Sequence, residues 1–217
     1  MADIFREVDE EVRRERLKQL WDTWGNYITA LMLLMVVGIG GWRAYQWWES
    51  KRAAEAGAAF EQAVSLAAQD KSAEAQAAFA KIATEGTSGY RTLARLREAA
   101  MAARTDPPTA IREYDSIAND SGVATGLRDI ARLRSGMLLV DTGTHEDIRT
   151  RVEQLTSAEN PFRHSARELM ALAAWRAGDS AGARRWIEMI IGDPQSPAST
   201  RSRVEMLTAL AGPEAKG

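Results

Sequence analysis

A run of uncharged residues from Thr23 to Trp42 constrains this chain more than any other part of its sequence, since the nearest charges are Asp22 and Arg43. As an α-helix these 20 residues would be about 30 Å long, the thickness of the hydrocarbon layer of a bilayer. The sequence therefore predicts a transmembrane anchor over 23–48. Aromatic residues flank the run at both ends, as membrane–water interfaces favour: Trp21, Trp24, Tyr27, Trp42, Tyr45, Trp47 and Trp48.

Two other interpretations of the run are less favoured. The helix of a protein core rarely carries tryptophans at both ends, and a secretory signal peptide rarely begins with 22 residues of mixed charge. No small-x-small cleavage site follows Trp42 directly, and Ala54-Glu55-Ala56 lies 12 residues further on. We interpret the run as an uncleaved single-pass anchor. Its small residues either allow another membrane helix to come close or only make packing flexible. The anchor residues singled out are Tyr27, Gly38, Gly40, Gly41 and Trp42.

The segment 1–22 is predicted to be an amphipathic helix, because apolar residues recur along it mostly every three or four positions. It is expected to lie along the membrane surface or against a partner, although a frayed charged tail is an equal alternative for the first ten residues. Five Lys/Arg precede the anchor and three follow it in a comparable window. This bias predicts a cytoplasmic N-terminus and a large domain across the membrane, in the periplasm of a bacterium.

Residues 49–217 are predicted to form an all-helical domain, because the segment is rich in Ala, Arg, Glu and Leu and lacks alternating β-branched runs. The chain contains no cysteine, which excludes disulfides and thiolate metal sites. The domain is nearly neutral, so it lacks the basic surface of a nucleic-acid binder. Turn residues at regular intervals predict helices near 49–69, 72–85, 88–104, 108–119, 123–140, 145–156, 161–177, 180–191 and 195–211.

The helical domain contains an internal repeat of 34 to 38 residues. Large residues recur in pairs at Phe79/Ile82, Tyr114/Ile117, Val152/Leu155 and Trp186/Met189. A small residue stands four positions before each ring, at Ala75, Ala110 and Gly182, whereas the third unit has Ile148 there. Because residues i and i+4 share a helix face, the small residue admits a neighbouring helix and the ring fills the space between repeats. The period predicts an α-solenoid of tetratricopeptide-like hairpins. Armadillo-like hairpins and a non-repeating bundle are the alternatives.

The sequence offers no convincing reaction centre. Asp141-Thr142-Gly143-Thr144 has the pattern of an aspartic-protease loop, but that chemistry needs two such carboxylates, and Thr144 with Asp147 predicts a helix capping box instead. The two histidines, His145 and His164, lack the partner of a zinc helix and are expected to be ordinary surface or turn residues. We therefore expect no enzyme activity, no cofactor and no metal.

An arginine-rich helix surface is the one candidate binding site in the domain. It is expected either to line a groove for acidic or extended protein segments or to form a solvated, salt-bridged face. The predicted protein-binding residues are Tyr90, Arg91, Arg95, Arg128, Arg132 and Arg163.

The layout of the chain resembles that of the ancillary, tetratricopeptide-bearing subunit of the bacterial SecYEG translocon. The resemblance rests on Gly41-Trp42-Arg43 with Tyr45 and Trp47, on 57–64, on 90–96, and on 178–186. It implies a non-enzymatic helper in the inner membrane that contacts translocon subunits, emerging chains or periplasmic chaperones. The alternatives are an interaction module of another envelope complex, such as outer-membrane or cytochrome assembly, and a membrane-anchored enzyme. A reversed orientation, with the domain in the cytoplasm, is a further alternative.

Overall fold

The computed structural model describes the backbone of residues 2–211 and the side chains of residues 18 and 21–209. All regular secondary structure in this part of the chain is helical, which confirms the predicted all-α class. A 3₁₀ turn, Glu153–Thr156, extends the sixth helix. The α-helices are α1 (Ala2–Ala68), α2 (Ser72–Glu85), α3 (Ser88–Ala102), α4 (Pro107–Asn119), α5 (Thr125–Leu139), α6 (His145–Val152), α7 (Arg163–Arg176), α8 (Ser180–Ile191) and α9 (Ala198–Ala211).

The chain divides into two compact units, Met1–Glu55 and Ala56–Gly217, so the second begins inside α1. In the first unit, α1 is long and apolar enough to span a membrane, and none of its most apolar stretch is buried against protein. Tyr27 and Trp42 are 71% and 64% exposed, and a Cβ added at Gly38, Gly40 or Gly41 would meet no other atom within 4 Å. This stretch is therefore not the core helix of a globular domain. The predicted apolar stripe of the N-terminal segment falls on side chains outside the described ones, except for Trp21 and Trp24, which are 59% and 56% exposed.

The second unit is a stack of helical hairpins whose boundaries follow the predicted turn residues. The predicted spans 72–85 and 180–191 coincide with α2 and α8. The prediction of a separate helix at 49–69 was wrong at its start, because this segment is the last part of the continuous α1. The predicted span 145–156 corresponds to α6 together with the 3₁₀ turn, and the others differ by one to three residues at an end. Side-chain caps hold several of these ends. Asp106 and Asp179 accept the backbone N–H groups of Thr109 and Gly182, and Thr144 forms the predicted capping box with Asp147.

The repeated large residues form the core of the stack, with one exception. Phe79 and Tyr114 are 1% and 3% exposed, and each belongs to a separate apolar cluster between successive helices. In the last unit, however, Met189 is 45% exposed, and Ile190 is fully buried in its place. The buried face of α8 is displaced by one residue relative to the repeat, so Met189 does not occupy the buried position that Ile82 and Ile117 occupy.

The third repeat replaces the small-residue rule with a different packing solution. Ile148 and Val152 are both fully buried, although the pattern expects a small residue and a ring. Space for Val152 comes from α5, where Gly136 lies against its side chain. A Cβ at Gly136 would lie only 2.7 Å from Val152 Cγ1. The absent side chain at Gly136 therefore makes room for the buried side chain of Val152.

Helices α5, α7 and α9 lie on the inner side of the stack. Helix α5 contacts α7, and α7 contacts α9, in addition to the contacts between helices adjacent in the chain. No comparable contact joins α4 with α6 or α6 with α8 in the described part of the chain. Because elements on the inside of a curved stack approach one another most closely, α5, α7 and α9 line its inner surface.

Candidate protein-binding surface

Three of the predicted binding arginines form internal ion pairs. Arg95 Nη1 lies 2.9 Å from Asp120 Oδ2, and Arg132 Nη1 lies 3.0 Å from Asp129 Oδ1. Arg163 Nε lies 2.8 Å from Asp193 Oδ2. These guanidinium groups are directed into the edge of the stack where even-numbered helices end and odd-numbered helices begin. Their hydrogen bonds are used largely to hold the hairpins together.

Two of these arginines belong to a series that repeats with the hairpins. The series has four members, 34 to 37 residues apart, and each follows a buried alanine or threonine: Arg95, Arg132, Arg167 and Arg201. Arg132 donates to the carbonyl oxygen of Ala118, at the end of α4, over 3.0 Å. Arg167 donates to the carbonyl oxygens of Thr156 and Met189.

We call these four residues the helix-end arginine series. Arg132, Arg167 and Arg201 donate to carbonyl oxygens at or just beyond a helix end, whereas Arg95 donates to the side chains of Asp120 and Ser116 at the end of α4. Arg201 donates to the carbonyl oxygens of Asp193 and Pro194, just after α8. The last carbonyl groups of a helix lack partners inside that helix, so a guanidinium group is a good replacement. The sequence repeat at Ala94-Arg95 and Ala131-Arg132 could have indicated that both arginines contact a helix end.

The remaining predicted residues lie in three different settings. Tyr90 packs its ring against Phe60, with 5.8 Å between ring centroids, and belongs to the core cluster between α1 and α3. Arg128 donates to Thr125 Oγ1 and keeps its Nε buried without a hydrogen-bond partner. Arg91 is exposed. The binding role of these six residues stays a prediction.

Asp193 is the centre of a charged cluster near the C-terminal end of the stack. Its Oδ2 accepts from Arg163 Nε at 2.8 Å, lies 2.9 Å from His164 Nε2, and lies 3.4 Å from Arg167 Nη1. The Arg163 hydrogen bond and the backbone N–H of Gln195 hold the pKa of Asp193 far below its ordinary value, and His164 adds to this effect. His164 is only 8% exposed and lies within α7, so the expectation of an ordinary surface or turn residue was wrong.

A different surface has the properties of a docking site. We define the odd-helix face as Ile130, Arg134, Met137, Leu172, Trp175 and Met206. Residues on each helix are three or four positions apart, so they share a helix face. Met137, Leu172 and Met206 each follow a member of the helix-end arginine series by five residues, which places them at equivalent positions of α5, α7 and α9.

The odd-helix face exposes three large apolar side chains, whereas Ile130 and Leu172 are half-buried. Met137 is 48% exposed, Trp175 37% and Met206 61%, and they are among the few large apolar side chains exposed in the described part of the second unit. Methionine side chains adapt their shape to different partners, and tryptophan provides a rigid apolar anchor. Sequence reasoning missed this face because it searched for charge rather than for exposed apolar residues on the inner helices.

One arginine on the odd-helix face is available to a partner. Arg134 is exposed and has no carboxylate within ion-pair distance among the described side chains. By contrast, Arg203 of α9 forms a bidentate pair with Glu168 of α7, and Arg176 donates to the carbonyl oxygens of Val140 and Gly143. The face therefore offers apolar contacts with one unpaired positive charge, which suits an apolar segment carrying an acidic group.

Two clefts open at the opposite edge of the stack from the helix-end arginine series. The larger, of about 430 Å³, lies between the start of α2 and the end of α3. The smaller, of about 220 Å³, lies between the start of α6 and the end of α7. Neither contains a constellation suited to catalysis. No group of three or more potential metal ligands occurs among the described residues.

Comparison with known proteins gives a family for this fold. Residues 18–199 match the family of the tetratricopeptide repeat-like domain, a region that covers well over half of the chain. No curated protein and no solved structure matches the chain. The matched region contains the hairpins α2 to α8 together with the helix-end arginine series up to Arg167. The chain therefore belongs to the tetratricopeptide repeat-like domain family.

Proposed function

We propose that this protein is a non-enzymatic, membrane-anchored scaffold or chaperone-network subunit of the Sec translocon. Its repeat domain binds partner proteins or emerging chains. The observation that carries the proposal is the combination, in one chain, of a helix able to span a membrane with a tetratricopeptide repeat-like domain. Domains of this family are typically interaction modules without catalytic activity. The link to the translocon is supported by the resemblance in layout described above.

The proposed placement is a single pass through the bacterial inner membrane. Residues 1–22 lie in the cytoplasm, 23–48 cross the bilayer, and 49–217 form the periplasmic domain. The excess of Lys/Arg before the anchor supports this orientation. Protease treatment of spheroplasts tests it, because only a periplasmic domain is digested while the membrane is intact.

The odd-helix face is the proposed contact surface for an extended chain. Its exposed Met137, Trp175 and Met206 would cover apolar side chains of the client, and Arg134 would pair with an acidic one. Such a surface selects by composition rather than by a fixed sequence. That property suits a protein that meets many emerging chains.

Affinity purification of the full-length protein from its own membranes in mild detergent tests the proposal. The matched control replaces 23–48 with an unrelated transmembrane helix. Recovery of translocon subunits with the native chain, and their loss with the control, supports the Sec assignment and makes the anchor the docking element. If the translocon subunits are recovered with both the native protein and the anchor-replacement control, the repeat domain makes the contact.

The same experiment can contradict the proposal. If neither form recovers translocon subunits, the Sec assignment is wrong. Components of an outer-membrane or cytochrome assembly complex recovered in their place would support the alternative of a different envelope complex.

A further inference from the structure

The segment of α1 just after the apolar run carries two aromatic–cation pairs. Lys51 Nζ lies 5.6 Å from the centroid of the Trp47 ring, and Arg52 Cζ lies 4.7 Å from that of the Trp48 ring. Both tryptophans are at least half exposed. Neither Lys51 nor Arg52 forms an ion pair with a carboxylate in the described part of the chain. Both charges are therefore open to an anionic partner.

These residues form one continuous surface of the helix. Successive residues of an α-helix are about 100° apart, so Trp47 and Trp48 lie side by side and each has its cation one turn further on. Tyr45 extends the second column, with 6.4 Å between its ring centroid and that of Trp48. Arg43 lies four residues before Trp47 on the first column. Glu55 lies on the same side, one turn beyond Lys51 and further from the apolar run.

The depth of this surface follows from the helix rise. Trp47 and Trp48 lie about 8 Å beyond Trp42 along the helix axis, and the headgroup layer on each side of a bilayer is about 5–8 Å thick. Side chains of a helix point back towards its N-terminus, so Lys51 and Arg52 reach back to the level of the two rings. If the apolar run spans the hydrocarbon layer, both cations therefore lie among lipid phosphates.

We propose that Trp47, Trp48, Lys51 and Arg52 form a binding site for the headgroup of an anionic phospholipid. This inference rests on the membrane placement proposed above. The two cations pair with the lipid phosphate, and the two rings cover the glycerol region and hold the cations in place. The site goes beyond anchoring, because an apolar helix alone does not distinguish anionic from zwitterionic lipids.

Short-range quenching of tryptophan emission by brominated lipids tests the site. The full-length protein is placed in phosphatidylcholine nanodiscs that contain an equal fraction of brominated phosphatidylglycerol or brominated phosphatidylcholine. The other five tryptophans, at 21, 24, 42, 175 and 186, are changed to phenylalanine, and circular dichroism checks that this protein retains its helices. We expect brominated phosphatidylglycerol to quench more strongly, by roughly twofold or more.

Matched variants distinguish binding of the lipid headgroup from simple proximity of the two tryptophans to the bilayer. Combining Lys51→Gln with Arg52→Gln is expected to reduce quenching by phosphatidylglycerol to the level of phosphatidylcholine. A control that combines Lys71→Gln with Arg112→Gln, both far along the chain, should keep the difference. Equal quenching by the two lipids in the parent protein, or a difference that survives the first double variant, overturns the lipid site.

Failure of the membrane placement gives a different result. In that case neither lipid quenches the emission, and alkaline carbonate releases the native protein from its membranes. If the protein resists carbonate extraction while the two lipids quench equally, the anchor stands and only the lipid site is wrong.

Discussion

At the scale of single residues, Asp193 makes the stability of the repeat domain sensitive to pH. Its pKa is held far below the ordinary value of 3.8, chiefly by the hydrogen bond from Arg163. A carboxyl group whose pKa is lower in the folded than in the unfolded state stabilises the fold above its unfolded pKa, and this contribution is lost as the pH falls further. Asp120, held by Arg95 and by the backbone N–H of Gly122, behaves in the same way.

The first prediction concerns Asp193→Asn. The neutral amide leaves Arg163, His164 and Arg167 without their shared carboxylate, so the melting temperature at pH 7 should fall by several degrees. Below about pH 4 the native protein loses this contribution, so the difference in melting temperature between the native protein and the variant should become smaller. Thermal melts of the full-length protein in detergent from pH 7 to pH 3 measure both effects. A gap that widens on acidification would contradict the assignment.

A second prediction at this scale compares two glycines of α5. A Cβ at Gly136 would lie 2.7 Å from Cγ1 of Val152, which is fully buried and cannot move aside easily, whereas a Cβ at Gly126 would meet nothing within 4 Å. We expect Gly136→Ala to destabilise the domain by about 1–3 kcal/mol through overpacking. Gly126→Ala should be neutral or stabilising by up to about 1 kcal/mol.

Urea unfolding followed by circular dichroism measures both changes. The comparison controls for helix propensity, because both variants exchange glycine for alanine in the same helix. If Gly136→Ala is as stable as Gly126→Ala, the third repeat does not depend on the space at Gly136.

At the scale of the element, much of the fold could be predicted because helix ends have local chemical causes. Turn and capping residues such as Asp106, Thr144 and Asp179 can be recognised in the sequence, and the helix boundaries follow them closely. The displaced face of α8 could not be predicted in the same way. Met189 and Ile190 are both apolar, and only tertiary packing decides which is buried.

The candidate site was harder to predict than the fold. An arginine can be solvated, paired or bound to the end of another helix, and the sequence does not distinguish these settings. Arg132 and Arg134 are two positions apart, yet the first donates to the end of α4 and the second is exposed and unpaired among the described side chains. Their roles depend on which helix lies nearby, which is a property of the stack.

The third prediction uses these two arginines as a matched pair. Arg132→Met removes the hydrogen bonds to the carbonyl oxygen of Ala118 and to Asp129, so we expect a loss of about 1.5–3 kcal/mol in the free energy of unfolding. Arg134→Met should leave stability nearly unchanged but reduce recovery of the partners that co-purify with the native protein.

Urea unfolding and quantitative affinity purification of both variants give the two readouts. If Arg132→Met instead folds normally and loses its partners, the partners bind the arginine surface that was predicted from the sequence. If both variants keep their partners, the odd-helix face is not the protein-binding surface.

At the scale of the whole molecule, the repeat domain is stabilised by separate apolar clusters rather than by one central core. One cluster surrounds Tyr114 and Ile117, another surrounds Val152 and Met170, and the last joins α7, α8 and α9 through Ile190 and Leu207. In a linear stack each hairpin contacts mainly its neighbours, so stability is a sum of local terms. Local opening at one end should therefore leave distant hairpins closed.

The last prediction tests this with Leu207→Ala, since Leu207 is 5% exposed in the cluster between α8 and α9. A buried Leu→Ala change costs about 2–5 kcal/mol. Amide hydrogens of α8 and α9 should then exchange at least about 30-fold faster, because each 1.4 kcal/mol is about a factor of ten. Exchange in α4 should remain unchanged.

Met206→Ala is the matched control, because Met206 is 61% exposed and its removal should alter neither region. Equal acceleration in α4 and α9 would show that the domain opens as a single cooperative unit.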